Sequence, residues 1–302
     1  MIMEYKIVTD GSCDLPPELC RKKDITVVPF YVSFDGEKYE KEIVEMPIRK
    51  FYDKMVAEPT TFPKSSMPSV QDYVDAFTPI LQDNRAIICI CITTKFSGSM
   101  QSALNAKEIV LESFPGARIT VIDATINTVL QGLYVLEAAK MHEAGVDYDR
   151  AVSELETIKS TGRIFFTVGN IDYLKHGGRI GKLAGLAGSV LGIRPLITLK
   201  EGEIFPSGIA RSRRKSLDKV YELLLEYLKE LNADCADYSL AVGFGYDKDE
   251  AVEFRDGAVE LLNSKGYSIA KEELPIYQIG ATISVHTGPY PLGFGIIKKA
   301  RL

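Results

Sequence analysis

The chain has 302 residues, 46% hydrophobic and 25% charged, with a formal net charge of −5. That length allows a sizeable core in one large or two medium domains, and the acidic balance argues against nonspecific nucleic-acid binding as the main role. No apolar run is long enough to span a bilayer. Residues 1–10, with Glu4, Lys6 and Asp10, lack the basic start and long apolar core of a secretory signal, so a cytoplasmic protein without integral membrane association is expected.

In chain order, Tyr5–Thr9 reads as a strand, and Asp14-Leu-Pro-Pro-Glu18 as the start of a helix running to Lys22. Residues 25–34 are β-rich, and Asp35-Gly36 turns the chain back. Helices are predicted over 47–56 and after Pro68, where Val70, Tyr73, Val74 and Phe77 share a face. Ile87–Ile92 has no polar member and reads as a strand buried on both faces. A helix follows from Ser97 or Gly98, then a strand at 118–123 and helices over 126–144 and 148–160. Strands alternating with helices imply a parallel sheet covered on both faces.

The second half mixes hairpins with helices. Strands are expected at 163–168 and, as a hairpin around Glu201-Gly202, at 196–199 and 204–209. Helices are expected over 179–191, 217–231 and 248–263, with strands at 239–246 and near Ser268, Ile283 and Phe294. The fold class is therefore α/β with two domains. Residues 1–161 form an N-terminal parallel sheet flanked by helices, and residues 162–302 a C-terminal mixed-sheet domain.

Phe96-Ser97-Gly98-Ser99 leaves the carboxyl end of the buried strand and enters a helix. Free backbone N–H groups at such a turn bind anions, and Ser97 and Ser99 add hydroxyls. Arg179-Ile-Gly-Lys-Leu-Ala-Gly-Leu-Ala-Gly-Ser-Val-Leu191 carries no charge beyond Lys182. It reads as a helix packed closely on a sheet, or as one wall of a tunnel for a slender apolar ligand. Arg179 at its mouth is either solvated or a fork for a carboxylate or phosphate. His286 either satisfies loop carbonyls, or donates to an anion or acts as a base.

Ser65 and Ser66 lie in a polar loop before the helix that Ser69 would cap. Asp10 and Asp14 could hold magnesium, or Asp14 could cap the next helix. The five cysteines, Cys13, Cys20, Cys89, Cys91 and Cys235, form no disulfide framework and read as buried thiols. Arg211-Ser-Arg213-Arg214-Lys215 is either a solvated run or a docking patch. No nucleophile elbow, Walker loop or full dinucleotide fingerprint occurs.

Taken in order, Val8-Thr-Asp-Gly-Ser-Cys-Asp-Leu-Pro16, Val28-Pro-Phe30, Ser65-Ser-Met-Pro-Ser69, Phe96-Ser-Gly-Ser99 with Gln101-Ser-Ala103, Gly178-Arg-Ile180 and His286-Thr-Gly-Pro289 resemble the DegV family over nearly the whole chain. The resemblance implies a fatty-acid-binding protein of two α/β domains with a buried acyl chain. It implies a bacterial, lipid-carrying partner of a fatty acid kinase, which phosphorylates the bound carboxylate for phospholipid synthesis. No catalytic residue, metal or cofactor is then expected in this chain. Ser97 and Ser65 would bind the carboxylate, with Ser66 and Gly98 beside them and Arg179 and His286 supporting the network.

Leu183, Ala184, Leu186, Ala187, Gly188 and Leu191 would line the acyl tunnel, and Arg211, Arg213 and Arg214 would dock the kinase. Family members often have Thr-Ser-Gln-Pro-Ser at 65–69 and Leu-Ser-Gly-Thr-Tyr at 96–100, so Ser65 lacks a methyl group and Met67 replaces an amide. The alternatives are an acyl or phosphoryl transferase or hydrolase using Ser97 or Cys13 with His286, and a lipid-responsive regulatory sensor.

Overall fold

The computed structural model describes residues 4–186, 192–232 and 234–302. The first half contains β1 (Tyr5–Asp10), α1 (Pro17–Lys22), β2 (Ile25–Val28), β3 (Tyr31–Ser33), β4 (Glu40–Lys41), α2 (Ile48–Ala57) and β5 (Lys64–Ser66). It continues with α3 (Val70–Gln82), β6 (Ala86–Cys91), α4 (Ser99–Ser113), β7 (Ile119–Asp123), α5 (Thr128–Glu143) and α6 (Tyr148–Ile158). The second half contains β8 (Arg163–Thr167), α7 (Asp172–His176), β9 (Arg194–Lys200), β10 (Glu203–Ala210), α8 (Arg213–Glu230), β11 (Tyr238–Phe244), α9 (Lys248–Ser264), β12 (Ile276–Gln278), α10 (Ala281–Thr287) and β13 (Leu292–Lys298).

The first sheet has the order β2-β1-β6-β7 and is parallel throughout. Every residue of β6 is buried, as a strand covered on both faces requires. The strand order reverses between β1 and β6, which opens a crevice at their carboxyl ends. The second sheet has the order β10-β9-β8-β13-β11-β12 and is mixed, with β11 and β12 parallel and the other pairs antiparallel. A small antiparallel sheet, β4-β3-β5, carries Ser65 and Ser66.

The two large sheets come from either side of Thr161–Gly162, and one apolar cluster spans both. Leu130 and Leu133 of α5 lie in it with Ile197, Ala241 and Ile297 of the second sheet. Glycine makes this approach possible, because a Cβ on Gly295 would meet Leu130 backbone atoms at 3.2 Å. Ser69 caps α3 through a reciprocal pair with Asp72, whose N–H donates to Ser69 Oγ at 3.1 Å.

Three expectations change. Residues near Ile283 form α10 rather than a strand. Its two faces enter different apolar clusters, Ala281 and Val285 in one and Ile283 in the other. Ser284 and Thr287 bond back to the carbonyls four residues earlier, so packing overrides their β-branched neighbours. No strand forms at Ser268; the edge strand is β12 instead. The expected 179–191 helix is, within the described residues, a short 3-10 helix at Gly181–Leu186. Gly178 (φ +66°) and Gly181 (φ +49°) take left-handed backbone that an α-helix cannot contain. Ala187, Gly188 and Leu191 lie outside the described residues.

Candidate functional site

A cavity of about 290 Å³ lies between the crevice of the first sheet and the inner face of the second. Its apolar wall includes Ile92, Val129, Phe166, Leu199, Ile279 and Phe294. Its polar lining includes Ser65, Ser66, Ser97, Gly98, Arg179 and His286, which the fold brings together from four separate segments.

Each of these groups has an identifiable support. The amides of Phe96 and Ser97 both bond to the Thr93 carbonyl, which turns the chain after β6. Ser97 Oγ accepts the Ser99 N–H at 3.2 Å, leaving the Ser97 hydroxyl proton free to donate to a ligand. Gly98 precedes the first turn of α4, where the helix dipole favours an anion. Met67 lies over it, since a Cβ on Gly98 would fall 2.7 Å from Met67 Sδ.

Ser65 Oγ lies 3.4 Å from His286 Nε2. The imidazole is packed against Gly177, where an added Cβ would fall 2.1 Å from Nδ1. Burial, and secondarily the Arg179 charge, push its pKa down to about 4. The ring is therefore neutral at pH 7 and offers one donor and one acceptor. Arg179 is exposed and donates from Nε and Nη2 to the Phe96 carbonyl and from Nη1 to the Gly177 carbonyl. Its guanidinium closes the Phe96–Ser99 turn against the second half of the chain and keeps two N–H groups in hand for an anion. The arrangement offers hydroxyls, a neutral imidazole and one guanidinium to a single anionic group at one end of an apolar space.

Other expected residues lie elsewhere. Leu183 is fully buried in the core shared by both halves, and neither it nor Ala184, which is exposed, lines the cavity. Among the described residues, the cavity wall draws on strands and on α5 and α10. Arg213 is engaged within the chain, paired through two bonds with Glu250 and donating to the Tyr290 carbonyl. Arg211 and Arg214 are exposed. Asp14 does not cap α1, whose preceding residue is Pro16; it accepts the Thr128 hydroxyl instead. The cysteines are all buried and free.

The sequence reading missed Phe30, Asn127, Thr128 and Thr282, which also line the cavity. Nothing in their spacing distinguishes them from core or capping residues. Gly293 and Gly295, alternating in β13, were the legible sign of close backbone approach.

Among the described residues, no helix is long and apolar enough to cross a membrane. Residues 4–299 match the family described as uncharacterised proteins of the DegV family. A DegV domain-containing protein of Clostridium perfringens is 30% identical over 99% of this chain and 100% of its own length. Among solved structures, a stearic-acid-binding protein from Eubacterium ventriosum is 44% identical, with a TM-score of 0.92 over 98% of each chain. A fatty-acid-binding DegV family protein from Thermus thermophilus is 29% identical, with a TM-score of 0.83 over 98% of this chain and 100% of its own. On this family match and these likenesses, the chain belongs to the DegV family.

Proposed function

We propose that this protein binds one long-chain fatty acid. The acyl chain fills the apolar cavity, and the carboxylate is held by Ser65, Ser66, Ser97, Gly98, Arg179 and His286. The single observation that carries the reading is the polarity of the cavity: one end is lined by Ser97, Ser65 and the neutral His286 beside Arg179, and the rest is apolar. Free phosphate would use the first feature and waste the second. The stearic-acid-binding relative supports the same ligand class. Titrating delipidated protein with stearic acid tests it: saturation at one equivalent is expected, and no uptake contradicts it.

In the finer reading the protein is a carrier, working in the cytoplasm, that presents the carboxylate to a partner kinase for acyl-phosphate formation. It divides near Thr161–Gly162 and docks through Arg211 and Arg214. Support for the carrier over a transferase comes from the candidate nucleophiles. Cys13 is buried and its thiol is pushed up by its contact with Cys20 and by burial, so it stays a thiol. His286 Nε2 faces Ser65 rather than Ser97.

A further inference from the structure

Asp10 ends β1 at the point where the strand order reverses, and it is fully buried. Its bonding partners are all neutral donors. Oδ2 accepts the Ile92 N–H at 2.9 Å and the Ser99 hydroxyl at 2.8 Å. Tyr73 lies behind Ser99, its hydroxyl 2.7 Å from Ser99 Oγ. Oδ1 lies 2.9 Å from Gln131 Nε2 and 2.8 Å from Ser12 Oγ. One carboxyl group thus joins the end of β1 to the first residue after β6, to the first turn of α4 and to α5. Ser97 and Gly98 lie between two of these attachments, Ile92 and Ser99, and Ser99 is also bonded to Ser97.

We propose that Asp10 is the positioning residue of the carboxylate-binding turn: by holding Ile92 and Ser99 from one side chain, it fixes the direction in which Ser97 and Gly98 present their donors to the ligand. The inference rests on the fatty-acid reading of the cavity. Asp10 does not line the cavity and acts only through the turn.

Burial disfavours the charged carboxylate at Asp10 and pushes its pKa up. Asparagine is its close isostere and keeps one side-chain oxygen to accept the Ile92 N–H and the Ser99 hydroxyl.

The experiment measures dissociation constants for stearic acid and for stearyl alcohol, which shares the chain but not the carboxylate. Wild type, Asp10→Ala, Asp10→Asn and Ser99→Ala are compared. Asp10→Ala should weaken the acid by about tenfold or more, the scale of a lost hydrogen bond to a charged group, while the alcohol changes little. Asp10→Asn should restore most of the acid affinity. Ser99→Ala removes one strut only and should shift the acid-to-alcohol ratio in the same direction, which keeps the test available if Asp10→Ala does not fold. An unchanged ratio in the variants that fold, or an Asp10→Asn as impaired as Asp10→Ala, overturns the proposal. A wild-type protein that binds neither probe removes the fatty-acid reading itself, which is a different failure.

Discussion

Arg179 reaches the backbone carbonyl of Phe96 with two donors, Nε at 3.1 Å and Nη2 at 2.9 Å, across 83 residues of sequence. The contact ties the turn after β6 to the segment that follows α7. It also places the guanidinium charge beside His286, where it helps to keep the imidazole neutral. The arginine therefore has two roles separable by substitution: a planar fork that holds backbone, and a positive charge beside the proposed carboxylate site.

Arg179→Lys keeps the charge and loses the fork. We expect it to weaken stearic acid binding by roughly tenfold and Arg179→Ala by more, given about 1.5–3 kcal/mol for a hydrogen bond to a charged group. Because the side chain is exposed, melting temperatures should barely move. Calorimetric titration beside thermal melts reads both effects. A lysine variant that binds like wild type would reduce the role of Arg179 to its charge.

His286 makes a pH-dependent contribution with a defined sign. Its pKa is near 6.5 when unfolded and about 4 when folded. Between those values the unfolded chain binds more protons, so stability rises with pH there. The contribution is complete above pH 6.5 and is lost as pH falls toward 4. Comparing urea unfolding of wild type and His286→Gln from pH 4 to 7 should give a shallower pH dependence in the variant. Parallel curves would mean that His286 does not titrate as described.

Gly243 lines the cavity, and a Cβ there would meet Val129 at 3.0 Å and Ile279 at 3.6 Å. Gly243→Val should narrow the acyl space, so that stearic acid loses more affinity than a shorter saturated acid. Overpacking should also cost about 1–3 kcal/mol of stability. If stability falls while the profile across chain lengths stays the same, Gly243 serves packing alone.

Arg211 is exposed, whereas Arg213 is taken up by Glu250. On the carrier reading proposed above, Arg211→Glu should therefore slow association with a fatty acid kinase in a salt-dependent way, since exposed charges act mainly on encounter. Fatty-acid affinity should not change. A loss of lipid binding with unaltered association would place the residue in the wrong role.

Much of this arrangement was legible because some positions tolerate only one chemistry. A strand covered on both faces admits no polar residue, so β6 announced itself, and the turn behind it followed. Ser69 marked the start of α3 for an equally local reason. The misreadings came where tertiary contacts overrode local preference. Thr282, Ile283, Val285 and Thr287 look like a strand, yet α10 forms because its two faces enter different apolar clusters. Gly181, expected inside a closely packed helix, takes left-handed backbone instead. The cavity wall could not be read at all. Phe166 and Phe294 are indistinguishable in sequence from residues that pack on protein, and only the relation between the two sheets leaves space beside them.

The measurement that bears most directly on the central claim is mass spectrometry of an organic extract of the purified protein. One long-chain fatty acid per chain is the predicted result. An extract without fatty acid, from protein that also fails to take up added stearic acid, would contradict it.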